Sequence, residues 1–472
     1  MKAARSVRVP RTQGSAHSRT RLVSNTGSAR TSVAANNLWQ PLSSASPPRK
    51  SLNAPLAKLP LSSVLRSLLV LSVSSSSLLL KPCIYTLSLL AHPRSALWDV
   101  SKNPLLNALV KHTIYKQFNA GENKAEVQQS IQSIKDLGCR GVLLGYAREV
   151  LVGENQDAAY DAKAAQAEVQ MWLDGTLQTV DMAQQGDFIY WNGHRRSSSS
   201  PTGGPPSPLM DSSIQKVCDL AISRGVRLLV DAEEQAVQPG IEAWIMKYQK
   251  YCNSQTPGHA IFYGTYQGYL RSTPATLARH LEVARTEGYT LGVKLVRGAY
   301  LKTEPRHLIW AEKEETDRCY DEVVEALLTR KYNSMLQPPT KDTPTELPPV
   351  NVIIATHNRD SVQKAHALRM QQAARGEDYG VDLSYAQLQG MADEVSCELL
   401  EGFENAENNV GITPQAAPNV YKLLTWGSVK ECMGFLLRRA IENTEAVGRT
   451  KDSQIAMISE VKRRFRKAVG GN

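Results

Sequence analysis

The chain has 472 residues, of which 42% are hydrophobic, and a formal charge of +10. That length suits one large domain with extensions, or two domains. Of the 55 Lys and Arg residues, 13 lie in residues 1–98, which hold no Asp or Glu; the other 42 bases meet all 45 acids and leave the remainder at −3. A nearly neutral body argues against nucleic acid as a partner, because a nucleic-acid-binding domain carries its own basic face.

Residues 1–50 are rich in Arg, Ser, Ala and Thr and free of acids. This is the composition of a mitochondrial transit peptide; the plainer alternative is a disordered basic tail. No compact apolar core follows the first charges, so a secretory signal is set aside. Residues 61–92 are apolar but broken by Arg66, serines 74–77, Lys81 and Pro82. No run of about 18 uninterrupted apolar residues exists, which disfavours a spanning helix. Residues 51–135 are expected to form a helical region, packed on the body or lying on a membrane surface. Seven cysteines, at 83, 139, 218, 252, 319, 397 and 432, are dispersed and form no CxxC pair. Neither a disulfide framework nor a zinc site is expected, and a reducing compartment such as the mitochondrial matrix fits.

From residue 99 onward, short apolar runs alternate with helical patterns. Strands are predicted at 141–144, 188–191, 226–230, 260–263, 292–296, 351–355, 383–388 and 420–426, the second being poor. Helices are predicted at 211–224, 273–287 and 361–372. In the helix at 273–287, Thr273 can cap, Pro274 sits in the first turn and Gly288 closes the end. Eight strands alternating with helices predict a parallel α/β fold, and eight favours a closed (βα)8 barrel over an open sheet. The barrel is placed at 136–450, with a helical tail at 451–472. Two Pro-rich stretches, 192–210 and 336–349, are predicted as flexible insertions, because the alternation resumes after each.

In a barrel of this kind, chemistry sits at the C-terminal ends of the strands. Asp231, Arg297 with Tyr300, and His357 all lie just after their apolar runs. Asp231 opens the motif DAEE (231–234); a carboxylate there orients a cation or a ring edge, or merely caps a helix. KLVRGAY (294–300) leaves its strand at Gly298. Lys294 and Arg297 suit phosphates or a ring on which negative charge develops, and Tyr300 offers a flat wall. The bland alternative is a strand end with solvent-facing bases. ATHN (355–358) places Thr356, His357 and Asn358 after another run. No second histidine lies at metal spacing and HExxH is absent, so no metal is expected. GxGxxG, the P-loop and GxSxG are absent too. Finally, LLRRAIEN (436–443) sets Arg438 and Arg439 side by side on a helix, with Glu442 one turn later and within reach of either guanidinium. Two guanidiniums braced by a carboxylate make a rigid fork for a small carboxylate ligand. A solvated salt-bridge face is the plainer reading of the same pattern.

Together, and in this order, the four motifs resemble proline dehydrogenase (proline oxidase), with surroundings similar to the fungal mitochondrial type. The resemblance runs from about residue 100 to about 450. It implies a distorted (βα)8 TIM-like barrel with an N-terminal helical extension, FAD at the C-terminal ends of the strands and a final helix over the substrate. It implies hydride removal from the ring carbon beside the nitrogen of L-proline to the flavin N5, giving Δ1-pyrroline-5-carboxylate. Electrons would pass to ubiquinone at the matrix side of the mitochondrial inner membrane, where the protein would sit peripherally. Carried over by motif, Arg438 and Arg439 pair with the proline carboxylate and Glu442 braces them. Glu149 forms an ion pair with an arginine of that helix, Asp231 lies near substrate and flavin, and Tyr300 flanks the ring. Lys294, Val296, Arg297, Thr356, His357 and Asn358 line the FAD, with Gln267 of YGTYQGYL beside them.

Three positions depart from the family pattern: Gly145 stands in place of an aspartate, Asn192 in place of a lysine and Leu423 in place of a tyrosine. The second strand also reads as cut short, which would leave costly unpaired edges. Two alternatives follow: a degenerate family member with a binding or regulatory role, or a flavoenzyme for hydroxyproline or another cyclic amine.

Overall fold

The computed structural model of the chain describes residues 54–147, 162–192, 206–410, 417–445 and 447–470. Its N-terminal part is helical: α1 (Leu61–Ser74), α2 (Ser77–Ala91), α3 (Pro104–Val110) and α4 (Lys116–Phe118). A short strand β1 (Asn119–Gly121) and α5 (Lys124–Asp136) lead into eight strand–helix units. These are β2 (Gly141–Tyr146) with α6 (Ala162–Met182), β3 (Phe188–Asn192) with α7 (Pro208–Arg224), and β4 (Arg227–Asp231) with α8 (Gln238–Asn253). Then come β5 (Phe262–Gln267) with α9 (Thr273–Glu287), β6 (Leu291–Val296) with α10 (Lys313–Thr329), and β7 (Val350–Ala355) with α11 (Arg359–Ala374). The last are β8 (Leu383–Leu388) with α12 (Asp393–Val410) and β9 (Asn419–Trp426) with α13 (Val429–Glu445), before the final α14 (Val447–Ala468).

Strands β2 to β9 pair in chain order, all parallel, and β9 pairs with both β8 and β2. The sheet therefore closes into the expected TIM-like barrel, and closure leaves no free edge in the ring. β1, which the sequence pattern did not announce, adds to β9 outside the ring.

The poor second run forms a whole strand. β3 pairs with β2 from Leu143↔Phe188 to Gly145↔Tyr190, and with β4 from Phe188↔Arg227 to Asn192↔Asp231. The expectation of a truncated strand is thus corrected. Aromatic residues at 188, 190 and 191 suit a pleated, half-buried surface as well as aliphatic ones do.

β5 also differs from expectation, beginning at Phe262 and running to Gln267 rather than covering 260–263. Side chains take the backbone groups just before it. Ala260 N donates to Asn351 Oδ1 at 2.7 Å, and Ile261 N and Phe262 N both donate to Asn253 Oδ1 at 2.8 Å. Asn253 Nδ2 in turn donates to the carbonyls of Phe262 (3.0 Å) and Thr290 (2.8 Å). Asn253 is fully buried. Replacing it with Ala strips four buried backbone groups of a partner, at about 1–3 kcal/mol each. The expected outcome is a loss of about 4 kcal/mol in equilibrium urea unfolding.

α9 keeps the predicted bounds, with Pro274 in its first turn and Gly288 in the left-handed conformation (φ 73°) at its end. Its cap differs. Ser272 is the N-cap residue, without a side-chain bond, and the Thr273 hydroxyl donates to the carbonyl of Gln267 at 2.5 Å.

Leu143, Phe188, Leu229, Ala260, Tyr263, Ile353, Ala386 and Tyr421 fill the lower barrel. Arg227 seals the floor. Its guanidinium stacks 3.9 Å from the Phe188 ring centroid, bonds Asp382 and the Gly186 carbonyl at 3.0 and 2.8 Å, and donates to the Tyr421 hydroxyl. A filled lower half leaves the C-terminal end of the strands as the place for chemistry.

The N-terminal helices serve that end. Leu87, Leu90, Val110, Tyr115 and Phe118 share one core with Val429, Met433, Leu436 and Ala440 of α13. The Tyr115 hydroxyl donates to the Gly427 carbonyl at 2.7 Å, and Glu122 Oε1 accepts from Val429 N at 3.1 Å. Tyr115→Phe leaves that buried carbonyl only the weak Cys432 thiol donor at 3.5 Å, and a loss of about 1–2 kcal/mol by thermal melting is expected. On the outer side α1 exposes Leu61, Leu65 and Leu69, and α2 exposes Leu78, Leu79 and Tyr85. Among the described residues no single helix is long and apolar enough to cross a membrane; residues 61–74 and 78–91 meet that test only as a pair bent by 102°.

Candidate functional site

Alternation along the strands decides which side chains enter the barrel mouth. In β6, Leu291, Val293 and Leu295 join the outer core under the helices, so Lys294 and Val296 face inward. By the same count Asp231 of β4, and Thr265 and Gln267 of β5, face inward above Leu229 and Tyr263. Lys294 Nζ lies 2.5 Å from Asp231 Oδ1, with the two side chains 5% and 23% exposed. The Thr265 hydroxyl donates to the Val230 carbonyl at 2.8 Å. A cation this buried is tolerated because its partner and the surrounding dipoles offset desolvation.

The loops after β4 and β6 are latched together above this pair. The Tyr300 hydroxyl donates to Glu233 Oε2 at 2.6 Å, and Gln235 N to Glu304 Oε1 at 2.6 Å. Gln267 bridges both loops: Nε2 donates to the Glu233 carbonyl and Oε1 accepts from Ala299 N, each at 3.1 Å. Gly298 makes the turn possible. It sits at φ 148°, and a Cβ there would fall inside the Tyr269 ring. Burial, then the charge of Glu233, pushes the Tyr300 phenol well above its ordinary value, so it remains a donor.

Arg297 parts company with Lys294. It leans outward, paired with Asp317, donating to the Ser361 hydroxyl at 3.2 Å and lying 5.3 Å from the Tyr320 ring centroid. ATHN forms a tight corner. Thr356 Oγ1 accepts from Asn358 N at 3.1 Å, and His357 Nε2 accepts from Leu388 N at 3.1 Å. Asn358 is the N-cap of α11, its Oδ1 accepting from Ser361 N at 3.0 Å. Its side chain thus does the structural work of a helix cap. Val296 stands in register with Ala355, giving two small apolar neighbours beside Lys294.

α13, which follows β9, carries the arginine pair. Arg439 Nη2 donates to Glu442 Oε1 at 2.6 Å, the three-residue spacing anticipated, with side-chain exposures of 14% and 44%. The Arg439 guanidinium stacks 4.9 Å from the Phe435 ring centroid, and its buried Nε has no hydrogen-bond partner. The charges of Arg438, Arg439 and Asp231 all act on one phenol, that of Tyr190, which burial chiefly pushes above its ordinary value. This phenol shares a 2.7 Å hydrogen bond with Thr425 Oγ1. The start of α13 is pinned by Tyr146, whose hydroxyl donates to Glu431 Oε1 at 2.7 Å and whose ring stacks on Trp426 at 4.7 Å.

Asp231, Lys294, Gln267 and Val296 therefore meet at the mouth, with Tyr300 latched to the loop above them. Arg297 and Asn358 are held among α10 and α11 instead. Glu149 and the insertion at 193–205 lie outside the described residues. Sequence reasoning missed Tyr190, Thr425, Glu233 and Phe435. Strand alternation carries a signal for the first two: Tyr190 shares a face with Asn192, and Thr425 lies between the outward-facing Leu424 and Trp426.

Residues 127–452 match the family described as Proline dehydrogenase. The chain belongs to the proline dehydrogenase family. The match begins within α5 and ends within α14, so α1–α4 precede it. Mouse hydroxyproline dehydrogenase is 27% identical over 413 residues, covering 76% of this chain and 84% of the mouse protein. Proline dehydrogenase 1, mitochondrial, of Caenorhabditis elegans is 32% identical over 257 residues, 53% of this chain and 37% of the worm protein. The probable mitochondrial proline dehydrogenase of Schizosaccharomyces pombe is 28% identical over 253 residues, 53% of this chain and 49% of that protein. Among solved structures, proline utilization A (PutA) from Bdellovibrio bacteriovorus inactivated by N-propargylglycine superposes with a TM-score of 0.57 at 16% identity. That superposition covers 79% of this chain and 38% of the other, and bears on the fold.

Proposed function

We propose that this family member oxidises L-proline to Δ1-pyrroline-5-carboxylate with FAD as its cofactor. The observation that carries the reading is the buried and unpartnered Arg439 Nε of α13, beside Arg438, taken together with the Lys294–Asp231 pair at the barrel mouth. The donor set suits a flavin: an inward cation at Lys294, the inward amide of Gln267 and the small walls of Val296 and Ala355. Thr356 and His357 stand at the same rim. A bound flavin supplies the hydride acceptor.

In this reading Arg438 and Arg439 hold the substrate carboxylate, and Glu442 keeps the Arg439 fork in one orientation. Fixing the carboxylate fixes the ring, so that the carbon beside the nitrogen meets the acceptor in one pose. Tyr300, held by Glu233, closes one flank of the ring. Lys294 places positive charge where negative charge develops on the acceptor, and Asp231 holds Lys294 there. Ubiquinone as electron acceptor, a mitochondrial location and peripheral attachment to the matrix side of the inner membrane complete the proposal. The acid-free N-terminus, the mitochondrial names of relatives and the exposed leucines of α1 and α2 support those parts.

Purified protein is expected to be yellow, and its flavin absorbance to bleach anaerobically on adding L-proline. Colourless protein that takes up no FAD refutes the reading. Protein that retains FAD but is reduced by no cyclic amino acid indicates a binding or regulatory role instead. The hydroxyproline dehydrogenase relatives favour one second reading, oxidation of a hydroxylated ring. Parallel reduction rates with L-proline and trans-4-hydroxy-L-proline separate the two.

A further inference from the structure

Tyr190 has no part in the motifs, yet several features of the mouth converge on it. It stands in β3 directly opposite Gly145 of β2. A Cβ added at Gly145 would fall inside the Tyr190 ring, so the phenol occupies the space that glycine leaves open. The hydroxyl is tied to Thr425 of β9 at 2.7 Å, which holds the ring in one rotamer. The ring packs on the lower barrel core beneath it. Two residues on, Asn192 of the same strand pairs with Asp231 of β4, so the phenol lies one inward-facing step below Asp231.

We infer that Tyr190, seated on Gly145 and fastened to Thr425, is the specificity-determining wall of the substrate chamber and selects an unsubstituted five-membered ring. The inference rests on the proposed reading of the site as one for a cyclic amino acid. A large aromatic ring in the chamber removes the volume that a substituent on the substrate ring requires. Its anchor prevents it from swinging aside, since moving it means breaking the bond to Thr425. Size exclusion of this kind shows in the ratio of kcat/KM for two substrates, by about tenfold or more for one heavy-atom group.

The test compares kcat/KM for L-proline and trans-4-hydroxy-L-proline in wild type, Tyr190→Phe, Tyr190→Ala and Gly145→Ala, with bound FAD measured in each. Wild type is expected to favour L-proline. Tyr190→Ala opens the chamber and should move the ratio toward the hydroxylated ring by about tenfold or more at unchanged FAD content. Tyr190→Phe keeps the wall, loosens only its anchor and should move the ratio much less. Gly145→Ala displaces the ring and should shift the ratio in wild type, but should be neutral when combined with Tyr190→Ala. A general loss of stability lowers both rates and leaves their ratio alone. A wild type that favours the hydroxylated ring, or an unmoved ratio in a folded, FAD-bound Tyr190→Ala protein, overturns this inference and leaves the flavoenzyme reading standing. Wild type that is reduced by neither substrate overturns that reading, and this inference with it.

Discussion

Arg438→Met is expected to raise the KM for L-proline by about 30- to 1,000-fold while leaving FAD binding intact, since one of two charge-assisted contacts to a carboxylate is worth about 2–4 kcal/mol. Steady-state kinetics with a bound-flavin assay read both quantities. Arg439→Met should be at least as damaging. Its side chain is only 14% exposed, its Nε is unpartnered and its guanidinium stacks on Phe435. Glu442→Gln should cost less, because Glu442 is 44% exposed and braces the arginines rather than binding the carboxylate itself. A KM that stays within about twofold of wild type in Arg438→Met would refute the carboxylate clamp.

Asp231→Asn is the second large effect. It removes the charge facing Lys294, whose side chain is 5% exposed, and leaves a buried ammonium uncompensated. Breaking a buried pair from one side costs about 3–5 kcal/mol. Two losses are therefore expected together: a lower melting temperature, and a slower anaerobic reduction of the flavin by L-proline. Removing both partners, as in Asp231→Asn with Lys294→Met, should restore much of the melting temperature, since no lone charge remains. It should not restore the reduction rate, which needs the positive charge itself. Full recovery of both in the double variant would make the pair purely structural.

The barrel was legible because eight runs and the helices between them carry two distinct periods. The motif residues Asp231 and Lys294 were legible as strand-end groups. Their direct bond was not, because a strand's sequence does not reveal which neighbour faces it. Arg297 is instructive. Counting from Lys294 inward, Leu295 falls outward, Val296 inward and Arg297 outward, so its place among α10 and α11 was contained in the alternation. Reading the two bases of KLVRGAY as one group obscured it. Asn358 follows the same lesson, since an Asn just before a helix is most simply its cap. Tyr190 depended on register between β2 and β3, which no single segment encodes, and its strand was undervalued because aromatic residues stood in for aliphatic ones.

The core shared by the N-terminal helices and α13 has a consequence for how the chain is made. Leu87 and Leu436 belong to one core although roughly 350 residues separate them. At about 5–20 residues per second, the first helices leave the ribosome about 20–70 seconds before their partner exists. The barrel imposes the same delay, since β2 pairs with β9. The nascent chain must therefore carry uncovered apolar helices throughout its synthesis. Release of newly made chain from a holding chaperone is expected only once the segment through Glu445 has emerged, making the last helix the step that completes both the substrate wall and the fold.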